Sequence, residues 1–260
     1  MILTADYHTH TPYSHGKNTV LENAQTAKEK GLLEVGITDH GFSHLAFGLK
    51  RRKVDRLKEE CAQASKLTGV RVLVGMEANL LDDRGTTDMK ESDYKNFDLF
   101  LCGKHVLVGY KNAKAWWRYF GGNFVADKFH KKPSERLVEY NTRAYIAMLE
   151  KNPVDILTHL AFLTPAEVKE VGKCAGDVGT YIELNSKKEH LTDEQLYALL
   201  DTSCRFVIDS DAHSKERVGE IELVKKQLER VAFPLERIDN IDGRLPKFRF
   251  AEYKKKTGLE

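Results

Sequence analysis

Little in this chain of 260 residues points away from an ordinary globular protein. No apolar run approaches the roughly 20 residues that a bilayer crossing needs, which excludes a membrane-spanning helix. The opening MILTADYHTH has neither a charged start nor a long apolar stretch, so no secretory leader is expected and a cytoplasmic setting is. Only four cysteines occur (Cys61, Cys102, Cys174 and Cys204), widely spaced and without a C-x-x-C pair. They read as reduced, mostly buried thiols, not as a disulfide frame or a thiolate zinc site. Charge of one sign is also missing: 41 basic against 39 acidic residues leave +2 overall. A long polyanion usually calls for a broader positive field. No G-x-G-x-x-G follows the first strand, so a dinucleotide-binding sheet lacks its phosphate turn. With no linker, low-complexity segment or internal repeat, residues 1–260 read as one domain.

Short apolar strands alternate with helical stretches instead. The strand segments are 2–8, 33–40, 70–78, 98–105, 154–159, 180–186 and 204–213. Their β-branched and large apolar side chains suit strands buried on both faces. One helix starts at Thr19, where Glu22 gives the capping-box spacing, and ends at Gly31. Others are predicted over 50–68, 133–151, 164–176, 192–202 and 215–231, with Thr164-Pro165 read as an N-cap followed by a first-turn proline. Seven strand–helix repeats without a hairpin signal imply a parallel sheet, which right-handed crossovers would wind into a barrel; an open doubly wound sheet competes. Two places break the rhythm: an insertion at 106–132 and a covering segment at 233–260.

Six of the seven strands end in a side chain able to bind metal. His8 and His10 close the first strand, His40 the second, Glu77 the third, His105 the fourth and His159 the fifth; Asp211 and His213 close the seventh. His15 follows just beyond the first. In a parallel barrel all these ends meet at one rim, where barrel enzymes place their active sites. Side chains two apart on a strand point the same way, so His8 and His10 can reach one ion, as can Asp211 and His213. Imidazole and carboxylate without thiolate suit zinc, manganese or iron. Of the ten histidines, only His44, His130 and His190 fall outside the pattern.

The motifs H-T-H, T-D-H at 38–40, G-M-E at 75–77, G-K-H, T-H and S-D-A-H at 210–213 resemble, in order and spacing, the PHP (polymerase and histidinol phosphatase) superfamily over about residues 5–220. The resemblance implies a distorted (βα)7 TIM-like barrel holding three divalent metal ions. It would place His8, His10, Glu77 and Asp211 on one ion. Glu77, as a bridge, would join His105 and His159 on a second, and His15, His40 and His213 would hold the third. The fifth-strand motif, T-H-L-A-F, lacks the proline that follows the histidine in many relatives, which points to a different loop after His159.

Such a cluster would acidify a shared water for attack at phosphorus and stabilise the departing alkoxide. Asp6 and Asp39, next to ligand histidines, are candidates to orient them, or simply capping residues. The substrate should be an anion, and Lys104, Lys187 and Arg84 are cations near the rim that could bind it. The insertion interleaves Lys111, Lys114, Arg118, Lys128, Lys131 and Lys132 with Tyr110, Trp116, Trp117, Tyr119, Phe120, Phe124 and Phe129. It reads as a substrate lid hinged at Gly121-Gly122, a base-stacking surface, or a plain covering excursion. The resemblance points first to a phosphomonoesterase acting on a small, histidinol-phosphate-like ester. A phosphodiesterase or exonuclease on oligonucleotides is the second reading, and a non-catalytic metal-binding accessory module the third.

Overall fold

A run such as Val-Leu-Val-Gly-Met at 72–76 is desolvated on both faces only inside a sheet covered on both sides, and each of the seven apolar segments becomes such a strand. The computed structural model describes residues 1–105, 107–110, 116, 123 and 132–259. The strands are β1 (Ala5–Thr9), β2 (Glu34–Ile37), β3 (Arg71–Asn79), β4 (Leu99–Gly103), β5 (Ile156–Leu157), β6 (Tyr181–Asn185) and β7 (Phe206–Asp209). They pair in parallel in the order of the chain, β1 to β7. Between and after them run α1 (Val20–Glu29), α2 (Val54–Thr68), α3 (Glu135–Lys151), α4 (Val168–Val178), α5 (Asp193–Leu200), α6 (Glu222–Arg230) and α7 (Arg249–Thr257). The result is a nearly closed, distorted (βα)7 barrel. Thr19 and Glu22 form the expected capping box, and all four cysteines are free. Among the described residues no helix is long and apolar enough to cross a membrane.

The ring closes between β1 and β7 largely through side chains. Backbone bonds cross the seam only at the rim, from Ala212 N to His8 O at 3.1 Å and from His10 N to Ala212 O at 2.8 Å. Lower down, Asp209 Oδ1 accepts from Tyr7 N at 2.7 Å. Fully buried Asn240 stitches the rest: its Nδ2 donates to Ala5 O (2.8 Å) and Ile208 O (2.7 Å), and its Oδ1 accepts from Ile208 N (2.9 Å).

Two apolar layers form. Val35, Ile37, Val72, Val74 and Met76 join the helices outside the barrel, whereas Ala5, Tyr7, Leu73, Leu99, Leu101, Ile156, Tyr181 and Val207 fill its lower interior. Phe248 closes the floor, its ring 4.9 Å from Tyr7 and 6.0 Å from Tyr181. Following the two-residue period upward from this plug gives the site. Leu73 leads through Gly75 to Glu77, Leu99 and Leu101 through Gly103 to His105, Tyr181 to Glu183, and Val207 through Asp209 to Asp211.

Three helix boundaries differ from expectation, the first being that α2 starts at Val54 after a 3₁₀ turn (Arg51–Lys53). Helix α4 begins at Val168, not Thr164. Ala161 and Leu163 hold positive φ angles in a turn closed by Thr164 N to Ala161 O, and the Glu167 amide is capped from outside by Thr142 Oγ1 of α3 at 2.9 Å. The 215–231 stretch divides into a 3₁₀ turn (Lys215–Arg217) and α6, because Gly219, at φ +69°, turns its N–H to Asp6 Oδ2 at 2.8 Å. Most of the 106–132 insertion, including Trp117, His130 and Gly121-Gly122, lies outside the described residues; Trp116 is described and exposed.

Candidate metal centre

Glu77, nearly fully buried, sits at the centre of the rim. Its Oε1 is 2.7 Å from His159 Nε2, 3.1 Å from His105 Nε2 and 3.4 Å from His8 Nε2. Its Oε2 is 2.7 Å from His40 Nδ1 and 3.8 Å from His10 Nε2. Asp211 Oδ1 lies 3.3 Å from His10 Nε2 and 3.8 Å from His8 Nε2. His15 and His213 complete the ring, their centroids 4.2 Å apart and each close to His10. The eight strand-end donors and His15 therefore converge. Three groups have ligand atoms mutually within 4.8 Å: His8, His10 and Asp211; His40, Glu77 and His105; and His10, His40 and His213.

Three of the donor side chains escape the two-residue period and need backbone irregularities. Ala5 and Tyr7 already face the barrel interior, so regular alternation would turn His8 and His10 outward. The register shift between Asp6 and Thr9 flips the parity and brings both inside. On β5, Thr158 takes the inward position and touches Glu77 Oε1 at 3.3 Å; His159 follows at φ +33° and so reaches the same oxygen. Asp211 also has positive φ, at +47°. Such costly conformations cluster where a site dictates side-chain aim. Gly103 leaves the room His159 occupies: a Cβ there would lie 2.6 Å from His159 Cε1.

Burial pushes the His40 imidazole down to about 3 and His15 to about 4, so both present lone pairs at neutral pH. Burial raises Glu77, but the imidazoles of His105, His8 and His40 outweigh it and hold the carboxyl well below its usual range. Burial also works against Asp211, which the His8 and His10 rings nonetheless keep ionised. His15 Nδ1, His40 Nδ1, His159 Nδ1 and Glu77 Oε2 are buried without a hydrogen bond, although His40 Nδ1 lies only 2.7 Å from Glu77 Oε2. Buried polar atoms are rarely left so. Carboxylates and imidazoles aimed at common points are the donor set of a hard-to-borderline divalent cation, and the residues fit such ions.

The PHP domain family matches residues 6–211, a span from β1 to the last carboxylate of the cluster. The chain belongs to the PHP domain family. It is 29% identical over 266 residues to a protein of Caldanaerobacter subterraneus subsp. tengcongensis named "probable phosphatase", covering 98% of this chain and 94% of that relative. A "probable phosphatase" of Proteus mirabilis is also 29% identical, over 92% of this chain and 90% of its own length. The crystal structure of histidinol phosphate phosphatase from Lactococcus lactis, complexed with zinc, L-histidinol and phosphate, superposes with a TM-score of 0.58 at 13% identity. The superposition covers 89% of this chain and 94% of that one, a likeness of fold.

Glu183 of β6 belongs to this PHP site although the pattern of strand-ending donors does not reach it. Its Oε1 accepts from His8 Nδ1 at 2.5 Å and its Oε2 from His159 N at 2.7 Å, so one carboxylate fixes two of the converging histidines. Asp6 and Asp39 do not contact the imidazoles through their carboxylates. Asp6 takes hydrogen bonds from Ser210 and Gly219, and Asp39 from Thr11 and Ser14, tying the loops that carry the ligands. Of the three cations, Lys187 reaches the site, its Nζ 3.2 Å from Asp211 Oδ2 and 3.1 Å from His213 Nδ1. Lys104 is buried and donates to Asn141 Oδ1 at 3.1 Å; Arg84 is exposed in the 81–87 turn, its carbonyl held by Lys151 Nζ. His44 stacks on His40 at 4.8 Å, and His190 lines the cavity, so both surround the cluster.

Proposed function

We propose that this chain is a metal-dependent phosphomonoesterase acting on a small phosphate ester of the histidinol-phosphate type. The observation that carries this reading is the convergence of imidazole and carboxylate donors at the rim, five histidines of them on Glu77, with buried lone pairs left unshared. His8, His10, Glu77 and Asp211 would hold one ion, Glu77, His105 and His159 a second, and His15, His40 and His213 a third, with zinc, manganese or iron all suited to the donor set. When bound, these ions supply Lewis acidity toward phosphoryl oxygens and an acidified water.

The protein's own contribution is placement. Glu183 holds the His8 ring by its Nδ1–H, which leaves Nε2 aimed at the centre. Lys187 stands at the open side, where its ammonium can take a phosphate oxygen and offset its charge. The cavity, about 410 Å³, has the metal-facing residues for a floor and Phe162, Lys188 and His190 along one wall. That is room for a phosphate and a small alcohol held against the wall. The alcohol and inorganic phosphate are the products, and the family and the relatives named as phosphatases support this reaction class.

The test is a panel of phosphomonoesters and short oligonucleotides assayed with metal-analysed protein. Small phosphomonoesters should be turned over, and His213→Ala should abolish that turnover with the fold retained. Hydrolysis of oligonucleotides alone, or full activity in the variant, would refute the assignment.

A further inference from the structure

His105 is the ligand whose second ring nitrogen leads furthest into the protein. Its Nδ1 lies 2.8 Å from Asn79 Oδ1, and Asn79 Nδ2 lies 2.6 Å from Asp88 Oδ2. Asp88 is otherwise saturated by backbone donors, Asn79 N on Oδ1 at 2.7 Å and Ser43 N on Oδ2 at 2.8 Å. Asn79 and Asp88 are both buried, so neither has a competing solvent partner. Gly41, one residue after His40, passes directly over the pair. A Cβ there would sit 2.5 Å from Asp88 Oδ2 and 2.7 Å from Asn79 Nδ2.

The direction of every bond in this chain is fixed by what each group can do. A carboxylate ringed by N–H donors accepts, so the amide of Asn79 must present its NH₂ to Asp88. Its carbonyl oxygen is then left facing His105. An amide oxygen only accepts, so the proton of His105 must sit on Nδ1. The lone pair is thereby placed on Nε2, 3.1 Å from Glu77 Oε1, on the side where an ion would lie.

We propose that Asp88, acting through Asn79, is a positioning residue that sets the tautomer of His105 and with it the affinity of the ion that Glu77, His105 and His159 would share. This rests on the metal-dependent reading above. A free amide at position 79 could turn its NH₂ toward His105 and drive the proton to Nε2, which removes the ligand without moving the ring. Partners of this kind typically change metal affinity by about 10–100-fold.

Two measurements test it. In the metal-free wild type, long-range ¹⁵N–¹H correlation of the histidine rings, with His105 assigned by its loss in His105→Gln, should show a proton on Nδ1. An Nδ1 without a proton would overturn the proposal, and this readout stands even if a variant fails to fold. In competition titrations with Zn²⁺ alone, Asp88→Asn should weaken one ion about 10–100-fold, and the swap Asp88→Asn/Asn79→Asp should restore it. The swap presents a carboxylate to His105 and an amide donor to that carboxylate, which rebuilds the polarity toward His105 at the cost of the bond from Ser43 N. Unchanged Zn²⁺ affinity in Asp88→Asn would overturn the proposal, as would a swap that keeps the wild-type melting temperature but not the affinity. Absence of Zn²⁺ binding by the wild type would instead refute the metal-dependent reading, leaving the tautomer measurement to judge the relay.

Discussion

Replacing Asn240 with Ala tests how the barrel closes. The side chain is fully buried and satisfies Ala5 O, Ile208 O and Ile208 N across the seam between β1 and β7. In the variant these three backbone groups lose their partner in a place that strand pairing does not reach. Each buried group left unsatisfied costs about 1–3 kcal/mol, and water entering the space vacated by the amide recovers part of it, so about 3–5 kcal/mol is expected. Unfolding entropy of about 2.1 cal/mol/K per residue gives a chain of this size roughly 0.55 kcal/mol/K. The melting temperature should therefore fall by about 6–9 °C. Metal-free protein melted by circular dichroism, with the reversibility of the transition checked, is the assay. A fall below about 2 °C would show that the seam does not depend on this amide.

Glu183→Gln removes the charge and leaves one oxygen for two donors, His8 and His159; divalent metal affinity measured by chelator competition should drop about 10–100-fold. Lys187→Met should raise KM roughly 10-fold with kcat little changed in steady-state assays, since the lost contact is an ionic hydrogen bond to substrate; an unchanged KM would take Lys187 out of the binding site. Asp155, buried where it accepts from Phe100 N and Phe250 N, is pushed by burial up to about 7. Because the folded value lies above the unfolded one, its contribution to stability is full below about pH 4 and is lost as pH rises through 7. Asp155→Asn should accordingly lower the melting temperature at pH 5 yet narrow the difference between melts at pH 5 and pH 8; an equal difference in both proteins would refute this.

The strands and eight of the nine rim donors, all but His15, were legible because six of the seven apolar runs end abruptly in a side chain that a buried strand would not otherwise carry. Glu77 after Val-Leu-Val-Gly-Met is the plainest case. Glu183 carries the same signal, a carboxylate between Ile182 and Leu184 and, like Glu77, two residues before its strand ends, but the polar Asn185 and Ser186 that follow mask it as the close of the apolar run. Two features had no local trace at all. The register shift that turns His8 and His10 inward arises from pairing between β1 and β2, and the inward turn of His159 from its positive φ. Likewise the start of α4 is set by Thr142, 25 residues earlier, so Thr164-Pro165 looked like a helix start with nothing nearby to contradict it. Lys104 and Arg84 show the same limit: proximity in sequence to a ligand does not say which way a side chain leaves the strand.

The edge-on cluster of Tyr7, Tyr181 and Phe248 beneath the site closes the described barrel at that end. On the proposed reading, ester and water would enter, and alcohol and phosphate would leave, by the same doorway. Release would then be ordered, the alcohol nearer the opening departing before the phosphate beneath it, and accumulating phosphate would compete with the next ester.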